Sequence, residues 1–444
     1  MGARQMAKPA LKKCFLYFGV FPEDRVIDAD DIMWLWMAEG FIIPRGEERM
    51  EDVAEGFLNE LIRRSLVQVV DTFWEKVTKC KVHDLLRDLA IQKALEVNFF
   101  DIYDPRKNLK STSCIRQAIH SEGKRYLSSL HRSNSKLRSI MYFDPHYFNV
   151  FLLIDVFRHI YVLYLDIDYG EVIPDVIGSL NNLKLLSLRG VRNIPSSIGK
   201  LKNLQTLVVV NMDKFFCHLP PETADLINLR HLVVPYSKPL AGISKLTSLQ
   251  VLRVDCDQWK DVDPVDLVNL RELEMTNIYN SYSLNNISSL KNLNTLRLHI
   301  SFGRQYTNPF PSLEFVNGCE KLQKLSLGGR LEKLPVFPDS ITMIVIWQSR
   351  LTKDPMPILG MLPNLRNLHL SRAYEGEEIM CSDYSFSQLE LLHLNYLDNL
   401  ERWHLGTNAM PLIKDLSIYN CQKLKEIPER MKHVKHFKHI RSLI

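Results

Sequence analysis

The stretch Leu183-Lys184-Leu185-Leu186-Ser187-Leu188 decides the fold, because its frame, Leu-x-x-Leu-x-Leu, returns along most of the chain. Successive frames start 19 to 29 residues apart, close to the period of about 20–29 residues that is typical of leucine-rich repeats. Thirteen such frames predict a solenoid rather than an ordinary α/β domain rich in leucine. The other frames start at Leu137 and Ile160, more weakly, and at Leu204, Leu229, Leu249, Leu270, Leu293, Leu322, Ile341, Leu365, Leu389 and Ile413.

Each frame places three apolar side chains on the inside of one coil. The last two are spaced by two residues, so both point inward from a short strand. One coil cannot bury its apolar face alone, so coils stack and their strands form a curved parallel sheet. A second half-motif, Ile-Pro-x-x-Ile-Gly-x-Leu, is clearest at 173–180 and 194–201. Its proline suits an irregular or short helical return on the convex side.

Composition places the chain among ordinary globular proteins with two or three domains. The net charge of +5 is small for 444 residues and does not by itself indicate nucleic-acid binding. None of the eight cysteines forms a C-x-x-C pair, so we expect no zinc site. We see neither a signal peptide nor an apolar run of about 18 residues. We therefore expect a cytoplasmic protein, with a peripheral position at the plasma membrane or a nuclear one left open.

Residues 1–97 are not repeats and predict a winged-helix domain. Three helices are followed by a two-stranded wing and a fourth helix, which Asp84 is expected to cap. Asp30 or Asp31 should cap the second helix, and Trp34 and Trp36 should pack against the third. The second helix carries no Lys or Arg, so we reject DNA readout through it. The helices are expected at 9–18, 30–39, 47–62 and 85–95, and the strands at 66–70 and 77–82.

Motifs in this region resemble those of plant intracellular immune receptors of the coiled-coil, nucleotide-binding, leucine-rich-repeat (NLR) type. The last motif resembles the Met-His-Asp motif of these receptors, with Val82 in the methionine position. The motifs are Cys14-Phe15-Leu16-Tyr17-Phe18, Phe21-Pro22-Glu23-Asp24, Trp34-Leu35-Trp36-x-Ala38-Glu39-Gly40-Phe41, Glu51-Asp52-Val53-Ala54-Glu55 and Val82-His83-Asp84.

The resemblance implies a function in disease resistance. The repeat array would recognise a pathogen effector, or a host protein modified by one, and would regulate an ADP/ATP switch. His83 would contact the ADP phosphate, and Asp84 would act as a structural switch. The chain contains no Gly-x-x-x-x-Gly-Lys-[Ser/Thr] motif, so we expect no cofactor in this chain itself. A repeat adaptor without a nucleotide switch remains the alternative.

Partner-binding residues are expected on the concave face, at the x of Leu-x-Leu and just after each frame. In earlier repeats these positions include Arg189. His369 and His393 occupy equivalent places, but with no third ligand in view we expect no metal site. No catalytic triad or dyad has supporting context, so we expect a protein-binding function, with other NLR chains as further partners, and no enzyme. The candidate partner-binding residues are Arg253, Arg297, His299, Trp347, His369, His393 and Tyr419.

The remaining segments are assigned by composition. Residues 98–136 are interpreted as a linker or an imperfect first cap, and residues 137–424 as about thirteen repeats. Residues 425–444 form a basic tail, for which a solvated end is favoured over a site for acidic lipid or nucleic acid.

Overall fold

The structure is a computed structural model that contains two compact units, Met1–Tyr236 and Ser237–Ile444. The first unit holds the helical domain and the first repeats, and the second holds later repeats. The model describes residues 2–44, 46, 48–73, 76–104, 114–121, 136–144, 159–210, 217–235, 237–238, 240–256, 259, 262–278, 283–300 and 309–440.

The helical domain has the predicted winged-helix plan. Strand β3 lies between β1 and β2 in a small antiparallel sheet. In the core, the ring of Trp36 meets that of Phe18 edge-on at 5.9 Å. The helices are α1 (Gly2–Tyr17), α2 (Ala29–Ala38), α3 (Met50–Arg63) and α4 (Asp84–Glu96), and the strands are β1 (Ile27–Asp28), β2 (Gln68–Phe73) and β3 (Lys76–Lys81).

Helix α1 begins at Gly2 and α3 at Met50, whereas starts at residues 9 and 47 were predicted. At the other two helices the capping residue also differs from the prediction. Helix α2 is preceded by Asp28, which has an extended backbone, so Asp30 and Asp31 lie in the first turn instead of capping the helix. The positive end of the helix dipole stabilises acidic side chains at these positions. Helix α4 is capped by His83, whose Nδ1 accepts the N–H of Leu85 at 3.3 Å. The prediction that Asp84 is the cap is therefore wrong, because Asp84 is the first helical residue.

The repeats of the first unit stack their strands in parallel and in chain order. The register keeps the frame residues in line, with Leu163 beside Leu186 and Leu186 beside Leu207. Short 3-10 turns follow the prolines of the second half-motif at Asp175–Ser179 and Ser196–Lys200. The strands are β4 (Asp101–Ile102), β5 (Arg116–Ile119), β6 (Ser139–Tyr142), β7 (Val162–Val172), β8 (Leu185–Asn193), β9 (Thr206–Val210) and β10 (His231–Val234).

The second unit continues the same parallel plan and adds a separate two-stranded parallel sheet, formed by β17 and β19. Two short helices lie between strands, α5 (Met356–Leu359) and α6 (Glu429–Lys432). The strands are β11 (Val251–Asp255), β12 (Glu272–Thr276), β13 (Thr295–His299), β14 (Lys324–Gly328), β15 (Met343–Trp347), β16 (Asn367–Ser371), β17 (Glu378–Cys381), β18 (Leu391–Asn395), β19 (Arg402–Leu405), β20 (Asp415–Tyr419) and β21 (His436–Ile440).

The repeats reach further in both directions than the sequence predicted. Strand β5 lies within the segment assigned as a linker, and β21 lies within the predicted solvated tail and pairs with β20. Both frames are degenerate, because Gln117 and His439 stand where leucine is expected. Up to residue 440 the tail is thus a paired coil and not a free end, although most of its side chains are exposed. The linker positions 105–113 and 122–135, and tail positions 441–444, lie outside the described residues.

Candidate functional site

The concave face consists of the strand residues that alternate with the buried frame leucines. In the first unit its middle row is completely covered, with exposed fractions of 6% or less. Asp31, Trp34 and Leu35 of α2 line a small gap together with residues of this face. The winged-helix domain therefore packs on the first repeats through α2. The middle row comprises Met141, Tyr164, Ser187, Val208 and Val233.

Arg189 binds the start of α2. One of its Nη atoms lies 2.5 Å from Asp31 and 3.1 Å from Asp28, and its side chain is only 14% exposed. Burial lowers the pKa of Arg189, but the charges of Asp31 and Asp28 and the hydrogen bond to Asp31 outweigh it and raise the pKa above its usual range. Arg189 lies on the concave face as predicted, yet it holds α2 instead of facing solvent.

Glu51, in the first turn of α3, binds the next part of the face. It accepts hydrogen bonds from Arg230 at 2.7 Å and from His231 Nε2 at 3.1 Å. Burial alone would raise the pKa of Glu51, but the His231 hydrogen bond and nearby positive charges lower it to about 2. Burial also lowers the pKa of His231. Neutral His231 then donates from Nε2, and Nδ1 accepts from the Thr206 hydroxyl at 2.8 Å.

Trp34 stacks on the same histidine. The ring centroids of Trp34 and His231 lie 4.9 Å apart with an interplanar angle of 21°. The prediction that both tryptophans of α2 pack against the third helix is therefore wrong for Trp34, which packs on a repeat strand. Only three-dimensional packing places it there, because the side chains meet across almost 200 residues of sequence.

Glu39 ties the end of α2 to β5 and β6. Its carboxylate, whose side chain is 4% exposed, accepts from Arg116 at 2.7 Å and from the Ser139 hydroxyl at 2.5 Å. Tyr17 also donates to it at 3.0 Å. Most ionic contacts at this interface join acids of the helical domain to bases of the repeats, while Arg25 pairs with a repeat aspartate.

The concave face of the second unit places the predicted partner-binding residues in two adjacent rows. Most side chains of both rows are half-buried, unlike the covered row of the first unit. The middle row contains Arg253, Glu274, Arg297, Ser326, Val345, His369, His393 and Ser417. The next row contains His299, Gly328, Trp347, Ser371, Asn395 and Tyr419.

Four charged residues at the start of this face form one network. Glu272 accepts from Arg253 at 2.7 Å and from Arg297 at 2.6 Å. Glu274 lies 3.6 Å from Arg253 and 3.5 Å from Arg297. Arg297 is only 12% exposed. Its ion pairs with Glu272 and Glu274 bridge neighbouring coils.

Trp347 lies over Gly328 on the adjacent strand. A Cβ added to that glycine would lie 2.2 Å from the indole, so only glycine leaves room for the ring. The indole also meets the His299 ring edge-on, with centroids 5.4 Å apart. Sequence reasoning missed Gly328, although a glycine at the end of a strand can mark such a close approach.

Histidines and tyrosines continue the two rows. The rings of His369 and His393 lie 4.4 Å apart, and His393 Nε2 lies 3.3 Å from Asp415. Burial and the neighbouring His393 lower the pKa of His369 to about 3, so its imidazole is neutral. Tyr419 meets Tyr396, a neighbour that sequence reasoning missed, at 5.2 Å. This part of the face offers neutral rings and hydroxyls.

The last two residues of the Met-His-Asp-like motif belong to the helical domain of the first unit. His83 is exposed, and Asp84 is half-buried at the start of α4. Among the described residues there is no group of three His, Cys, Asp or Glu that could hold a metal ion. No helix in the same described part of the chain is long and apolar enough to cross a membrane.

Comparisons with known proteins identify the family. Residues 20–90 match the family "Disease resistance protein Winged helix domain", and residues 136–444 match "Leucine-rich repeat region". The chain belongs to the plant NLR disease resistance proteins. Its regions are the winged helix and the repeats of that family.

Relatives in Arabidopsis thaliana carry disease-resistance names. "Probable disease resistance RPP8-like protein 2" is 30% identical, over 96% of this chain and 49% of its own length. "Disease resistance protein RPP13" is 32% identical, over 95% and 49%. The NLR chain thus spans about half the length of these curated relatives. Among solved structures, a leucine-rich-repeat protein of Leptospira interrogans has a TM-score of 0.48 at 17% identity, over 78% of this chain and 98% of its own.

Proposed function

We propose that this NLR chain recognises a protein through the concave face of its second unit. The partner is a pathogen effector, or a host protein that an effector modifies, and recognition takes place in the cytoplasm without catalysis by this chain. The observation that carries the proposal is the difference between the two concave faces. The face of the first unit is covered by α2, whereas that of the second presents half-buried rings and charges.

The chemistry of the second face supports a protein partner. Trp347, Tyr419 and the arginines are the residue types in which binding energy concentrates at protein interfaces. Ion pairs and ring contacts already hold these side chains in place, which reduces the entropy lost on binding. Neutral His369 and His393 can both donate and accept hydrogen bonds.

The nucleotide switch is the second part of the proposal. In the full-length family, ADP or ATP is held by a domain that contributes the phosphate loop, and His83 would contact the phosphate. The exposure of His83 at the start of α4 supports this role. The winged helix docks on the first repeats. If this docking has two states and the partner binds one of them more tightly, the partner shifts the equilibrium towards that state.

A repeat adaptor without a switch is the second candidate, since the half-buried rings and charges of the second concave face can recruit a partner without any nucleotide. Affinity capture with the full chain from infected and uninfected leaves separates the two. A receptor should capture a pathogen protein, or a host protein altered by infection, from infected leaves alone. An adaptor should capture the same host partner from both.

The concave face is tested with one variant and one matched control. Trp347→Ala should weaken capture by at least about tenfold, as expected for an anchor residue. Met361→Ala removes an apolar side chain that is 84% exposed and lies outside both rows, so it should leave capture unchanged. Equal capture by both variants would place recognition on another surface.

A further inference from the structure

The small sheet formed by β17 and β19 has two different edges. On the β17 side, the Asp354 carboxylate accepts the N–H of Met380 at 2.7 Å and so occupies a backbone donor. Covering an edge in this way prevents the addition of another strand. Within the described residues 309–440, no carboxylate covers the outer edge of β19 in the same way.

Alternate residues of β19 use their backbone groups to bind β17. Arg402 donates to Glu377 at 3.0 Å, and Gly406 donates to Cys381 at 2.7 Å. In a parallel pair, the residues between such donors direct their N–H and C=O groups to the other side. The backbone groups of Trp403 and Leu405 therefore point away from β17. Within residues 309–440 no hydrogen bond to these four groups is present.

The next coil begins to cover this edge and then leaves it. The N–H of Lys425 donates to the carbonyl of Glu401 at 3.0 Å. This bond is equivalent to the bond from the Glu401 N–H to the Glu377 carbonyl in the preceding coil. The next donor in the pattern would be residue 428, bonding the carbonyl of Trp403. That residue is Pro428, which has no N–H, and α6 starts immediately after it. The proline thus leaves the edge open.

A groove lies along the open edge. Its volume is about 1250 Å³, and its lining includes β19, the end of β17 at Met380 and Cys381, and Ile427 and Pro428 of the next coil. Trp403 lines it and is 7% exposed. Burial raises the pKa of the neighbouring Cys381 thiol to about 12, although a hydrogen bond from the Trp403 side chain lowers it in part.

We propose that the β19 edge binds an extended segment of another protein, which adds to the small sheet as a third strand. The open backbone groups of Trp403 and Leu405 fit a strand and no other backbone conformation. Most charges of the rim are paired internally, such as Arg402 with Glu378 and Lys425 with Glu401. Recognition therefore rests on the main chain of the segment and on an apolar side chain that faces Trp403. The site is separate from the concave rows.

A synthetic peptide tests the site on the full chain. The probe copies residues 400–406, acetylated, amidated and fluorescein-labelled, because β19 is the strand that the solenoid itself stacks at this position. In the control peptide the fifth residue is proline, so that the N–H directed at the Trp403 carbonyl is missing. Fluorescence anisotropy should show binding of the probe, and binding of the control should be at least about tenfold weaker. No binding of the probe up to about 1 mM would overturn the proposal.

Two variants of the protein test the edge itself. Leu405→Pro removes an N–H that points into the groove and leaves the bonds to β17 intact, so the chain should fold and lose the probe. Leu405→Ala keeps that N–H and should retain the probe within about threefold. Hydrogen exchange of segment 402–406 should slow when the probe binds the wild type. Equal binding by both variants, or unchanged exchange with bound probe, would show that the peptide binds elsewhere.

Discussion

Replacing Glu51 by Gln tests the docking of the winged helix on the first repeats. The structure lowers the pKa of Glu51 from 4.5 to about 2. A shift of one pKa unit corresponds to about 1.4 kcal/mol, so the ionised side chain contributes up to about 3 kcal/mol. Solvent screening should reduce this value little, because the side chain is only 17% exposed. Glu51→Gln should lower the free energy of unfolding of the first unit by up to this amount at pH 7.

The dependence on pH identifies the carboxylate. A lowered pKa stabilises the folded state fully above pH 4.5, and this contribution is lost as the pH falls towards 2. The lowered pKa of His231 acts in the same direction, since its contribution is present above pH 6.5 and is lost on acidification. Glu51 raises the pKa of His231, so Glu51→Gln lowers that pKa further, and below pH 6.5 the difference between wild type and variant includes the histidine.

Urea unfolding of the full chain, monitored by hydrogen exchange of the α2 amides, measures the difference in unfolding free energy between wild type and Glu51→Gln from pH 7 down to pH 3. Glu48→Gln, which removes an exposed carboxylate just before α3, is the matched control and should behave as wild type. An unchanged unfolding free energy at pH 7 would refute the reasoning. So would a difference that stays constant between pH 5 and pH 3, because Glu51 would then not be the titrating group.

Three further predictions follow from local geometry. His83→Ala should cost about 1 kcal/mol by removing the cap of α4, and Asp84→Val only about 0.3–1 kcal/mol, as thermal melting should show. Gly328→Ala should displace the Trp347 indole and lower the stability by about 1–3 kcal/mol in the same assay. Leu296→Asp should open several adjacent coils to protease, because burying an unpaired carboxylate costs several kcal/mol.

Matched variants control for the substitutions themselves. Gly56→Ala adds a methyl group in the middle of α3, where nothing lies within 4 Å, so it should stabilise the chain by about 0.5–1 kcal/mol. Leu412→Asp changes a residue that is 44% exposed and should leave the coils protected. A larger effect of Asp84→Val than of His83→Ala would contradict the capping assignment. If Gly328→Ala melts at the same temperature as wild type, the indole moves without a loss of stability.

The solenoid and the winged helix were predictable because both depend on local periodicity. Leucines at fixed spacing bury one face of each coil wherever the coil lies, and the helices before them show their own apolar period. The same reasoning missed the strands at Gln117 and Phe437, because those frames are degenerate. Their strands form because neighbouring coils already offer an open edge for pairing.

The sequence by itself determined which residues lie on the concave face, since strand alternation assigns them. Only the tertiary structure decided which part of that face is covered. Glu51 and His231 are separated by 180 residues, and no local pattern connects them. Their contact depends on the packing of α2 and α3 against the six successive strands from β5 to β10 at once. That packing is the sum of many weak terms from distant segments, whereas a repeat period requires only neighbours along the chain.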